Sequence, residues 1–183
     1  IIYYIEGLDG NREVYTTFEA ASGVHLTDED QQPIDGFTFD DWKDYTNGRY
    51  DRELWLYYTR NSYTISFENC TGIDDASLKY EQTLNAAKPA DNMIGRPEGV
   101  YADSIFGGWY YSPACEEGTE VNWNSDTMPS HNIQVYAKWI DPEYTVTFHT
   151  NGGDDIDPIT YSVGAIVENL PTPEKEGDTF VGW

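Results

Sequence analysis

The chain has 183 residues, of which 33 are acidic and 10 basic, giving a formal net charge of −23. A field of that sign repels nucleic acid and anionic membrane surfaces, and no stretch approaches the roughly 20 consecutive apolar residues that span a bilayer. Phe, Trp and Tyr make up 15% of the chain, so aromatic rings must supply cores for which the aliphatic content is too thin, which argues against one large enzyme-like interior.

In chain order, residues 1–5 are apolar and aromatic, 7–11 carry a glycine and aspartate turn signal, and 13–18 extend again, which predicts a hairpin. Residues 27–31 suit a helical turn capped by Thr27, with acids at its positive end. Pro33 and Gly36 return the chain to an extended segment at 37–42; residues 44–48 read as a loop and 54–58 as a closing strand. The order then recurs. Residues 63–67 read as a strand, 71–75 as a polar turn, 78–80 as a second extended piece and 84–88 as a short helical piece stopped by Pro89. A loop with Gly95, Pro97 and Gly99 leads to an extended stretch at 104–111, and residues 133–139 close the unit. The third run has a strand at 144–148, a turn at Asn151, Gly152 and Gly153, a second strand at 159–163, a short piece at 165–169 and an extended end at 179–183.

Each unit carries an aromatic residue, two intervening positions and a tryptophan: Phe39 and Trp42, Phe106 and Trp109, Phe180 and Trp183. In a regular strand, residues three apart face opposite ways, so each pair shares a core only if an extra residue bends the strand. Gly107, Gly108 and Gly182 stand where such a bulge is expected. These six rings are expected to build cores. The recurrence divides the chain into units at 1–60, 61–141 and 142–183, the third without a counterpart of the closing strand. Short links at 59–62 and 140–143 favour an extended, partly stiff array in which neighbouring repeats are partners. The chain opens at Ile1 without a methionine or signal-like stretch and reads as an excerpt of a longer protein.

The residues offer little chemistry. Cys70 and Cys115 both fall in the second unit and permit one disulfide or two free thiols. His25, His131 and His149 have no serine or cysteine nucleophile with a carboxylate in a recognisable arrangement beside them. Asp154, Asp155 and Asp157 cluster after a glycine turn and are weak calcium candidates, as are the groups Asp28 to Asp30 and Asp74 with Asp75; none has EF-hand spacing. Tyr111 and Trp123, beside the long insertion of the second unit, are the candidate ligand-binding aromatics. Residues 54–58 place aromatic rings on both faces of one strand.

The stretch 144–153 with Pro171, Pro173, Gly177 and 180–183 resembles the Listeria–Bacteroides repeat, also called the internalin B-repeat. The second unit resembles it through 63–67, Pro97, Gly99, 106–110 and 135–139. The first unit is a divergent candidate through Phe39, Trp42, Leu56 and Tyr57. The resemblance implies an α+β chain of small tandem β-grasp (ubiquitin-like) modules, each a mainly antiparallel or mixed sheet with one short helix. It also implies an extracellular place on the bacterial surface or cell wall, as a non-catalytic spacer or adhesin-like stalk with no cofactor to carry over. A module binding a host protein or glycan, and an accessory region of a secreted enzyme, are the alternatives.

Overall fold

Two four-stranded mixed sheets and a separate hairpin make up the computed structural model, which describes residues 1–20, 30–47 and 51–183. In the first sheet, β1 (Ile2–Glu6) and β2 (Arg12–Thr17) pair antiparallel around a turn in which the Gly7 N–H donates to the Asn11 carbonyl. A longer hairpin follows, β3 (Phe37–Asn47) with β4 (Asp51–Arg60). Strand β4 lies parallel to β1, with Ile2 opposite Trp55 and Ile5 opposite Tyr58, so the order is β2-β1-β4-β3.

The second sheet repeats that order with β5 (Ser62–Glu68), β6 (Ala76–Lys79), β7 (Ile105–Tyr110) and β8 (Ile133–Ile140). Its central pair, β5 with β8, is again parallel. Two short 3-10 turns, Leu84–Ala87 and Asp91–Met93, lie between β6 and β7. The hairpin of β9 (Glu143–Val146) and β10 (Ile159–Ser162) completes the strands.

Four local expectations need adjustment. Residues 44–47 continue β3 and do not form a loop, because Tyr45 packs on Trp55 across the hairpin at 4.3 Å between ring centroids; that cross-strand pair outweighs the turn character of the Asp and Asn beside it. The helical element of the second unit is 3-10 rather than α. Residues 165–169, the short piece of the third unit, form neither helix nor strand, and residues 179–183 have no ladder partner. The helical turn expected at 27–31 lies, apart from its end, outside the described residues.

The bent strand is present in both sheets. Along β3 the register jumps from Phe39 opposite Tyr58 to Asp41 opposite Tyr57; along β7 it jumps from Phe106 opposite Trp139 to Gly108 opposite Lys138. One extra residue, Asp40 or Gly107, turns the next aromatic back toward the side of the first. The Phe106 and Trp109 rings accordingly meet edge to face at 5.5 Å; Phe180 and Trp183 meet at 5.3 Å without a ladder or a bulge between them.

Burial of the three tryptophans differs. Trp109 is 4% exposed in a core with Ile65, Phe67, Leu84, Val135 and Ala137. Three residues of the insertion that follows β7, Val121, Trp123 and Met128, join that core and cover it. Trp42 is 45% and Trp183 50% exposed, so neither has the core position expected of it. The chain passes from β3 to β4 through a short connection, with nothing corresponding to the insertion. The first core is instead Tyr3, Ile34, Leu56 and Tyr58, flanked by Phe37 and Phe39. Trp183 packs on Phe148 at 5.0 Å and donates its indole N–H to the Pro171 carbonyl, leaving its other side open.

The bulge can be tested at Gly108, whose φ of +117° lies in the glycine region and whose added Cβ would meet only the Tyr110 ring within 4 Å. Gly108→Ala should destabilise the second sheet by about 1–3 kcal/mol through backbone strain alone. Denaturant unfolding followed by tryptophan fluorescence measures this, and an unchanged midpoint would contradict the strained-bulge account.

Candidate functional site

The aromatic residues expected to bind a ligand do not form one surface. The Trp123 ring, 8% exposed, stacks on Phe67 at 6.3 Å and 16° within the core. Its place in the insertion suggested exposure, but the insertion folds inward. Tyr111 is 39% exposed and donates its hydroxyl to Asp126 at 2.9 Å; burial first, and the Asp126 hydrogen bond second, push its pKa up. The insertion also extends the sheet edge: the Tyr111 N–H donates to Thr119 O and the Val121 N–H to Trp109 O, both within 2.9 Å.

Cys70 and Cys115 are free thiols, which corrects the disulfide candidate. Cys70 packs beside the second core with its Sγ 3.6 Å from the Phe67 carbonyl, whereas Cys115 sits in a left-handed loop position, φ 49°, turned to the Pro113 carbonyl. Burial raises both pKa values; Glu68 adds to the shift at Cys70 and Lys138 opposes it at Cys115. Among the described residues no three His, Cys, Asp or Glu side chains converge to hold a metal. Asp154, Asp155 and Asp157 form no such group, and the Asp154 N–H donates to the Glu174 carbonyl. His25, Asp28 and Glu29 lie outside the described residues. No described helix is long and apolar enough to cross a membrane.

The most constructed polar site joins the first sheet to the second. Arg60, the last residue of β4, has a side chain only 4% exposed. Its Nε donates to Glu6 O at 2.9 Å, and its Nη1 donates to Tyr80 O at 2.9 Å and to Glu81 Oε2 at 2.6 Å. Its guanidinium carbon lies 4.7 Å above the Phe37 ring and 6.0 Å from that of Tyr80. The planar fork thus satisfies acceptors from both sheets while its face rests on aromatic rings, which lysine could not do. Glu6 completes the site, accepting from the Arg60 backbone N–H at 3.0 Å and from Lys79 Nζ at 2.5 Å.

Asn61, the single residue between β4 and β5, is fixed in the same way. Its N–H donates to Gly36 O and its carbonyl accepts from the Tyr80 N–H, while its side chain accepts from Thr38 Oγ1 at 2.7 Å. Gly36 packs so closely on the Tyr80 ring that a Cβ there would collide with it. None of this was legible in the sequence, where Arg60 is one arginine at a strand end and its partners are far apart along the chain.

The second sheet meets the β9–β10 hairpin through corresponding turns with other chemistry. The Val163 N–H donates to Pro142 O, as the Tyr80 N–H does to Asn61 O. Asp141 stands two residues before its strand pair, as Arg60 does, and accepts from the buried Ser104 hydroxyl at 2.5 Å. Arg96 Nε donates to Ser104 O, and the Tyr144 hydroxyl donates to Asp103. Here the ring and the glycine have changed sides: Tyr101 of the second unit fills the space that a Cβ on Gly164 would need.

Short mixed sheets repeated along one chain and fastened through buried polar junctions define a tandem-repeat β-structured protein. The chain belongs to the Listeria-Bacteroides repeat family, a family of non-catalytic repeats of surface proteins, whose model matches residues 63–138 and 144–183. Residues 1–62 fall outside those matches, although their sheet has the same strand order. Internalin H of Listeria monocytogenes is 36% identical over 51% of this chain and 17% of its own length. Two proteins of Evansella cellulosilytica are also similar: a "Putative membrane protein", 31% identical over 71% of this chain and 18% of its own length, and a "Putative Gly-rich membrane protein", 28% identical over 95% and 21%. The chain thus spans about a fifth of the length of these relatives.

The junction has an acid dependence of definite sign. Hydrogen bonds from Lys79 first and the Arg60 N–H second hold the Glu6 carboxyl below its ordinary pKa of 4.5. Its contribution is full above that value and is lost as the pH falls through the lowered one. The thermal stability gap between the wild type and Glu6→Gln should therefore be widest near neutral pH and close in acid; a gap independent of pH would contradict the assignment.

Proposed function

We propose that this segment is a spacer or stalk of an extracellular bacterial protein attached at the cell surface or wall, built from successive β-grasp units at 1–60, 61–141 and 142–183. The order β2-β1-β4-β3, with a parallel central pair and antiparallel outer pairs, supports the β-grasp reading. The observation that carries the spacer reading is the Arg60 junction: a one-residue link whose backbone and side-chain groups are bonded on both sides holds neighbouring units in one orientation. A stalk needs that stiffness, since it must hold what it carries away from the surface.

Spin-label pairs placed across the junction test this. The wild type should give a narrow distance distribution. Arg60→Ala, which leaves the Glu81 and Tyr80 acceptors without their donor, should broaden it and cost about 1–3 kcal/mol of unfolding free energy. A wild-type distribution as broad as that of a flexible linker would overturn the stalk reading.

A further inference from the structure

The two sheets use their outer faces differently. On the second sheet that face carries the paired Tyr110 and Tyr136, with Lys138 Nζ 4.9 Å from the Tyr110 centroid, among polar groups that bond to one another: Ser66 to Asp75, Gln134 to Glu68 and Tyr136 to Gln134. On the first it is a continuous aromatic platform. Tyr4 lies 5.0 Å from Trp55 and 5.6 Å from Tyr57, while Tyr45, 39% exposed, packs on Trp55 at 4.3 Å and is hydrogen-bonded to Tyr57, which is itself only 4% exposed. The core cluster of this sheet lies on the opposite side, with Tyr3, Leu56 and Tyr58, so the outer rings brace the β3–β4 hairpin without filling that core. On the second sheet the same strand order stands with serine, glutamine and glutamate beside two tyrosines, and with no tryptophan, on that face.

Polar groups border the rings. The Arg12 guanidinium sits 3.6 Å above the Tyr57 ring, Lys43 Nζ lies 5.9 Å from the same centroid, and the Trp55 indole N–H donates to Glu53 at 2.8 Å. Asp41 is paired directly with Tyr57 and so shares the face. Two of the ten basic residues in the chain thus meet on one small face, which also carries the carboxylates of Asp41 and Glu53. Flat rings edged by alternating donors and acceptors match the two aspects of a sugar ring, apolar C–H faces and a rim of hydroxyls. They do not match a polyanion, which would meet Glu53 and Asp41 on the face and the net charge of −23.

We propose that the outer face of the first sheet is a carbohydrate-binding surface for a neutral polysaccharide chain, with sugar rings stacked along Tyr4, Trp55 and Tyr45 and hydroxyls bonded to Arg12, Lys43 and Glu53. The surface is independent of the stalk reading, because it uses neither Arg60 nor the junction.

Affinity electrophoresis of the whole chain tests it, in gels containing mixed-linkage glucan, xylan, galactomannan or, as a polyanion, alginate. The expected result is retardation by at least one neutral polysaccharide, weakened about tenfold or more by Trp55→Ala. Tyr45→Ala at the rim should weaken it as well, whereas Tyr136→Ala on the second sheet should not. Thermal unfolding establishes that each variant is folded; if Trp55→Ala is not, Tyr45→Ala and Lys43→Ala decide. Absence of retardation in all neutral gels, retardation by alginate alone, or retardation that survives the folded platform variants would overturn the proposal.

Discussion

Arg60 is the interaction on which the relation between the first two sheets depends. A guanidinium placed in a site this closed must have its N–H groups bonded, since a buried unpaired charge is among the most costly defects a fold can carry. Its acceptors come from the backbone of the first sheet at Glu6 and of the second at Tyr80, so they are available together only when the two sheets stand in this orientation. Asn61 adds a covalent limit, leaving one residue between β4 and β5. The junction is therefore specific in direction, as a hydrophobic contact of similar size would not be.

Within each sheet the controlling constraint is the bulge. It reconciles an aromatic pair three residues apart with a strand whose faces alternate, and in the second sheet it delivers both Phe106 and Trp109 to one core. The bulge sets direction but not burial. Burial needs cover, and Val121, Trp123 and Met128 supply it only over Trp109. Equivalent residues in successive repeats thus occupy different environments, and the same tryptophan builds a core in one unit and meets solvent in another.

What the sequence made legible follows the range of the forces involved. Strand positions, the repeat and the need for a bulge come from local alternation, and they were readable in residues such as Phe106, Gly107 and Trp109. The inward turn of Trp123 was not, because it depends on Phe67, far away along the chain. Residues 44–47 misled because Asp and Asn favour turns locally, whereas the deciding partner, Trp55, lies across the hairpin. The two cysteines carried no distance information at all. Arg60, the most constrained side chain of the junction, gave no signal, since its partners at Glu6, Tyr80 and Glu81 are assembled only by the fold.

The exchange of ring and glycine between the two junctions bears on the order in which units can follow one another. At the first, Gly36 receives Tyr80; at the second, Tyr101 is received by Gly164. The two contacts use different positions: Val163 stands in the third unit where Tyr80 stands in the second, its N–H donating to Pro142 O as that of Tyr80 donates to Asn61 O, so a third unit placed directly after the first would leave Gly36 without the ring it receives. Sequence repetition suggests interchangeable parts, yet the contacts act as a key: each unit accepts its own successor. Gain or loss of a unit by recombination would therefore be felt at the seams, and compensating changes should appear there first.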